Sequence, residues 1–407
     1  MIAELRQTAK WAVISMCVGL LAGCASAVFL KSLDHVTAWR ESHLWIVWFL
    51  PVCGFIMSWL YEKIGKGSDK GHDLLMDEIH DPKAVVPLRM APLILLATIT
   101  THLFGGSAGR EGTAVQMSGS LADQLTGLFR LSSSDRRILL MAGISAGFGS
   151  VFGTPLAGAI FGLEVLAIGR VRYEAIFPCF LASIAGHQVT QLWGIQHSLY
   201  SIGLVPSFSW QVLLMVSIAG IAFGLTGRLF AKLIHGTQSF FKKFFLWAPL
   251  RPFVGGILVV AGVWIVGSTQ YIGLGLAGID RSLTGTVGPF DWLMKIIFTV
   301  LTLGTGFKGG EVTPLFYIGS TLGNTLSGFL HMPASFLAGL GMVAVFAGAA
   351  NTPITCMILA IELFGAPIGV YAAIACVMSF LFSGHTGIYV SQKRDHSKHT
   401  SQQADRL

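Results

Sequence analysis

Charge is scarce in this 407-residue chain: 12% of residues are Asp, Glu, Lys or Arg, against 53% hydrophobic. Soluble domains carry about 25% charged residues, so the composition, with a mean hydropathy of +0.69, excludes a water-exposed globular protein. Strict polar–apolar alternation is also missing. The apolar runs are continuous and helix-length, which excludes an outer-membrane barrel. The six cysteines (17, 24, 53, 179, 356, 376) lie scattered in apolar runs and read as small core residues rather than a disulfide frame. His80, His102, His187 and His197 share no helical face with acids, and no nucleophile elbow or triad stands out. Neither a metal or other cofactor nor an enzymatic centre is expected. The formal charge of +7 does not point to nucleic acid, because the basic residues fall between apolar runs, as the positive-inside rule requires.

What is abundant is glycine, 49 residues, together with long apolar runs. Apolar segments fall near 11–30, 44–61, 88–105, 112–129, 137–152, 154–168, 176–192, 208–230, 253–267, 291–306, 313–330, 334–349, 353–364 and 367–383. The first follows a basic start, and Ala22-Gly23-Cys24 has a lipoprotein-like look. A run of about 20 residues nevertheless suffices to span the bilayer, and many spans follow. Several later segments are too short to cross about 30 Å of hydrocarbon at about 1.5 Å per residue. Split by Gly or Thr-Pro, they predict broken helices that meet near the midplane, where protein surrounds the breaks.

The chain repeats itself. Gly109-Arg110-Glu111-Gly112-Thr113 and Gly119-Ser120 are echoed by Gly309-Gly310-Glu311-Val312-Thr313 and Gly319-Ser320, and Thr154-Pro155 with Glu164 by Thr352-Pro353 with Glu362. Loop charge orients the copies. The stretch from Arg228 to Arg251 holds five basic residues and no acid, so it is expected in the cytoplasm; His197–Trp210 has no Lys or Arg and is expected outside. Arg6 and Lys10, with Lys393, Arg394 and Lys398, put both termini inside. Arg130, Arg136 and Arg137 follow the first motif, whereas 329–336 after the second has no such charge. Arg170 and Arg172 follow Glu164, and nothing charged follows Glu362 before Pro367. The expected fold is an all-α polytopic membrane protein with two inverted-topology repeats and broken helices meeting at the midplane. Residues 1–200 form the N-terminal repeat, 201–392 the C-terminal repeat, and 393–407 a polar, unstructured cytoplasmic tail.

A carboxylate at membrane depth is expensive and marks function by default. Each Gly-rich break places a helix N-terminus, with unpaired N–H groups and partial positive charge, in the interior. Converging N-termini make an anion site. Deprotonated Glu111 can occupy that site itself; protonated, it swings out and admits an anion. The bland alternative for Glu111 is a structural pair with Arg110, but adjacent helical residues point different ways. For Glu164 and Glu362, beside their Thr-Pro caps, helix stabilisation is the expected role.

The sequence Gly-Ser-Ala-Gly-Arg-Glu-Gly-Thr (106–113) resembles the Gly-Lys/Arg-Glu-Gly-Pro gate of CLC anion channels and transporters. Gly309–Pro314 resembles that family's second anion-binding loop, and Tyr389 falls where the family has its central tyrosine. The resemblance implies the CLC-type fold, with Glu111 as the gating and proton-coupling glutamate. It also implies anion binding by Gly112, Gly310, Glu311, Val312, Thr313 and Tyr389, a homodimer with one pathway per subunit, and no cofactor. Departures from the chloride-handling pattern are equally specific. Residues 67–75 lack the Gly-Ser-Gly-Ile-Pro loop, Thr113 replaces proline, Glu311 and Thr313 replace apolar residues, and Val165 stands where exchangers carry an inner proton glutamate. Together these resemble the fluoride/proton antiporter branch, which is bacterial and exports fluoride from the cytoplasm across the inner membrane. The alternatives are a chloride/proton exchanger and a passive anion channel. Fluoride is strongly hydrated and needs strong donors to replace water. Thr313 offers a hydroxyl and His72 an imidazole N–H, although His72 also fits an ordinary cap in a partly wet loop. Glu311 is either a second titrating group that helps couple protons or a fixed acceptor that polarises Thr313.

Overall fold

The computed structural model describes residues 2–197 and 200–398. Helices α1 (Ile2–Ser42), α2 (Leu50–Ile64), α3 (His72–His80), α4 (Met90–Leu103), α5 (Glu111–Asp123), the single-turn α6 (Leu125–Leu128), α7 (Ser133–Phe152), α8 (Pro155–Glu164) and α9 (Ile176–Leu192) form the first half. The second half runs α10 (Trp210–Phe244), α11 (Leu250–Val266), α12 (Leu276–Thr284), α13 (Asp291–Leu303), α14 (Val312–Leu330), α15 (Ala334–Ala350), α16 (Pro353–Phe364) and α17 (Gly369–Phe382). Apart from α6, every helix of the first half has a counterpart about 200 positions on, as the repeat reading predicts. Among the described residues, three helical stretches are long and apolar enough to cross a membrane: Glu4–Ser42, Leu44–Ile64 and Trp210–Phe244. Short helices such as α5, α8 and α16 start inside the protein, at the buried Glu111, Thr154 and Thr352, as expected for broken spans.

The breaks are written in local chemistry. Helix α7 ends on Gly153 and α15 on Asn351, both left-handed (φ 77° and 58°), the conformation that Gly and Asn tolerate best. Each is followed by Thr-Pro, and Pro155 and Pro353 open the next helix, where a missing N–H costs no hydrogen bond. The two glutamates then act reciprocally. Glu164, at the end of α8, accepts from Ile354 N, Thr355 N and the Thr355 hydroxyl at 2.9, 2.8 and 2.6 Å. Glu362, near the end of α16, accepts from Leu156 N and Ala157 N at 3.0 and 2.7 Å. Each repeat thus caps a helix of the other, which places both carboxylates in the stabilising role expected of them.

The structure departs from the sequence reading in four places. Helix α1 runs 41 residues, well beyond 11–30, because its polar flanks remain helical. The basic stretch after Arg228 is not a loop: α10 continues to Phe244 and ends on Lys242 and Lys243, cations that suit a helix C-terminus. Helices α3 and α12 were not marked by apolar runs, being nine residues each and partly polar. The tail is ordered over 393–398. Lys393–Arg394 (β2) pairs in parallel with Ala167–Ile168 (β1), and Lys398 Nζ donates to Phe380 O and Ser383 Oγ at the end of α17. Residues 399–407 of the expected tail lie outside the described residues.

Glu164→Ala strips the acceptors from the buried start of α16 and should cost about 1–3 kcal/mol, read as a lower unfolding temperature in detergent. Glu164→Gln, which keeps an acceptor oxygen, should lose less. Equal losses would contradict the capping role.

Candidate functional site

The two glycine motifs pair with each other. Gly109 N donates to Gly310 O at 2.6 Å and Gly310 N to Gly109 O at 2.8 Å, an isolated antiparallel bridge between the repeats. Only glycine fits here: a Cβ on Gly310 would stand 2.7 Å from Gly112 N, and one on Gly109 would stand 2.9 Å from Pro314 Cδ. The loop before the bridge is braced by α13. Thr302 Oγ1 accepts from Ser107 N at 3.0 Å, and the wholly buried Lys295 donates to Tyr271 O and Gly273 O at 3.0 and 2.9 Å. Gly273 N in turn donates to Gly106 O at 3.1 Å.

The bridge brings the first residue of α5 against the start of α14. Glu111 is 1% exposed, and its carboxylate accepts from the Thr313 hydroxyl at 2.5 Å, Thr313 N at 3.1 Å and Arg110 N at 3.1 Å. A negative group at a helix N-terminus meets both unpaired N–H donors and the favourable end of the dipole. The Arg110 pairing is weak by comparison. Its Nε lies 3.7 Å from Glu111 Oε1 and makes no hydrogen bond. Thr113, at the matching position of the first repeat, is instead joined to Thr98 at 2.7 Å between hydroxyl oxygens.

Glu311 is placed differently. It precedes α14 as the N-cap residue, makes no side-chain cap, and the Thr313 hydroxyl donates to Glu111 rather than to it. Glu311 lines a vestibule of about 810 Å³ together with His72, Asp73, Gln116 and Tyr389, on the side that also holds Lys242 and Arg251. Glu111 and Thr313 line a separate crevice of about 20 Å³ with Arg110 and Tyr200. The two carboxylates therefore line separate cavities.

His72 is the first residue of α3, and its ring lies 5.5 Å from that of Tyr389. Its Nδ1 is 3.1 Å from Gln116 Nε2, while its buried Nε2 has no hydrogen-bond partner. With the Gln116 amide donating to Nδ1, the ring proton resides on Nε2 and forms an unused donor. Gly112 makes room for this ring, since a Cβ there would stand 2.7 Å from His72 Cε1. Val312 and Thr313 are each 2% exposed at the start of α14, and Tyr389 is 6% exposed. The N–H of Gly310 is already engaged in the bridge. Gln116 was not singled out by the sequence reading; a lone buried amide five residues past Glu111 was the signal available. Val165 is wholly buried, and its carbonyl accepts from Gln392 Nε2 at 2.9 Å.

Residues 53–384 match the family model described as voltage gated chloride channel. A chloride/fluoride channel protein of Pseudomonas syringae pv. tomato is 59% identical over 398 residues, 96% of this chain and 88% of that protein. The H(+)/Cl(−) exchange transporter ClcA of Cronobacter sakazakii is 27% identical over 378 residues, 85% of this chain and 80% of the relative. The crystal structure of a CLC-type fluoride/proton antiporter superposes with a TM-score of 0.92 at 34% identity, covering 95% of this chain and 98% of the other.

Gly112→Ala forces the His72 ring aside, and overpacking of this kind costs about 1–3 kcal/mol. The unfolding temperature should fall in the single variant and recover when His72→Ala is added. A double variant no more stable than Gly112→Ala would show that the two residues do not share this contact.

Proposed function

The chain belongs to the voltage gated chloride channel (CLC) family of multi-pass membrane ion transporters, and within it we propose that it is a fluoride/proton antiporter exporting fluoride from the cytoplasm. The observation that carries this reading is the Glu111 carboxylate resting on the N–H and hydroxyl of Thr313. Those donors hold an anion, and fluoride can replace the carboxylate on them. Once protonated, Glu111 loses the charge that these donors favour, releases them and carries its proton away from the site. The returning, ionised side chain then expels the ion. One site serving carboxylate and fluoride in turn exchanges the one for a proton on the other.

Several features favour fluoride over chloride. A hydroxyl, a main-chain N–H and the unused His72 Nε2 are strong, small donors of the sort a strongly hydrated ion needs. Val312 and Gly112 shape the close-packed backbone around them, Gly310 holds the register through its bridge, and Tyr389 closes the vestibule side. With Val165 in place of an inner glutamate, Glu311 takes over the proton on its way between Glu111 and the vestibule. The relatives' names support the same reading, since one is called a chloride/fluoride channel protein and the similar fold a fluoride/proton antiporter. In this account residues 1–200 and 201–392 are the two repeats, 393–407 is a cytoplasmic tail, and both termini lie in the cytoplasm of a bacterial inner membrane. The unit is a homodimer with one pathway per subunit.

In proteoliposomes, fluoride efflux should greatly exceed chloride efflux under matched gradients, with protons moving in the opposite direction. Equal anion fluxes would indicate a chloride exchanger, and fluoride flux without stoichiometric protons a passive channel. Glu111→Gln should abolish proton movement coupled to fluoride. Continued uphill proton pumping by that variant would remove Glu111 from the gating role.

A further inference from the structure

We infer that Ser391 is a clasp that sets the His72–Tyr389 spacing and thereby the anion size the site accepts; this rests on the reading of those two residues as anion contacts. Asp73 and Asp77 stand one turn apart on α3, and both accept hydrogen bonds from Ser391. Its N–H reaches Asp73 Oδ1 at 3.0 Å and its hydroxyl reaches Asp77 Oδ1 at 2.7 Å. Asp73 adjoins His72, and Ser391 is two residues beyond Tyr389. A single serine thus joins the segment bearing the tyrosine to the helix bearing the imidazole.

The rest of this segment is held elsewhere. Ile388 N donates to Ala349 O at 2.8 Å, and Gln392 Nε2 to Val165 O and Ala350 O at 2.9 and 3.0 Å. These contacts tie the segment to the ends of α8 and α15, so Tyr389 keeps its place without Ser391. Helix α3 is less secure. Its far end is fixed by Glu78, which accepts from Arg136 at 2.8 Å in a buried pair. Its near end starts on Gly71, which offers no side-chain cap. The Lys70–Asp77 pair, 62% and 44% exposed at 3.1 Å, is screened by solvent. With the hydroxyl bond lost, the main-chain bond to Asp73 and the Gln116 contact of His72 are the hydrogen bonds left at this end of α3, which can then tilt about the Glu78 end. Because Tyr389 stays put, the gap between ring and hydroxyl widens, and a wider gap discriminates less against the larger halide.

The test is the ratio of fluoride to chloride efflux from liposomes containing wild-type protein, Ser391→Ala or Ser391→Thr. Loss of the hydroxyl bond should lower the ratio about fivefold, through a gain of chloride flux. Ser391→Thr, which keeps the hydroxyl, should restore it. Asp77→Ala removes the same bond from the helix side and should lower the ratio alike, so the inference can be tested even where Ser391→Ala does not fold. A fluoride preference that survives unchanged in either alanine variant overturns the clasp alone. Equal fluoride and chloride fluxes in wild-type protein overturn the fluoride reading, and the clasp with it.

Discussion

The start of α14 presents donors that one anion at a time can use, and in this structure the anion is a side chain. The Thr313 hydroxyl and N–H both go to Glu111, across 202 residues of sequence. Hydrogen bonds to a charged group are worth about 1.5–3 kcal/mol each, enough to hold the carboxylate but within what a competing ion can match. That balance depends on the Gly109–Gly310 bridge, because a side chain on either residue would push Glu111 out of reach of α14.

The repeats share architecture but divide the chemistry unequally. Glu164 and Glu362 are true equivalents, each capping the other repeat's Thr-Pro helix. Glu111 and Glu311 are not. Glu111 begins its helix and reaches across to the opposite repeat, whereas Glu311 lies one residue before its helix and faces the vestibule. Thr113 and Thr313 differ in the same way: the first bonds to Thr98 and the second to the Glu111 carboxylate.

Much of this was legible in the sequence because the signals were local or periodic. Apolar runs marked most of the helices, Gly-Thr-Pro and Asn-Thr-Pro marked the breaks, and the echo of one glutamate motif by another marked the site. What escaped was set by distant contacts. Helix α3 carries too many polar residues for hydropathy to flag, and it folds because Glu78 finds Arg136 and Asp77 finds Ser391, more than 50 and 300 residues away. The ordering of 393–398 depends on the pairing of β2 with β1 and on Phe380 O and Ser383 Oγ at the end of α17, and the partnership of Gln116 with His72 on how α5 packs beside α3. None of these has a sequence period. The Thr313 hydroxyl is likewise paired across the repeats, with Glu111 rather than with the neighbouring Glu311.

The central claim is that fluoride and the Glu111 carboxylate compete for the same donors. Calorimetric titration of purified protein with fluoride above neutral pH tests it directly, with wild type compared against Glu111→Ala. Removing the competitor should tighten fluoride binding about tenfold or more, the equivalent of one charge-assisted hydrogen bond. Equal or weaker binding by Glu111→Ala would show that ion and side chain do not share a site.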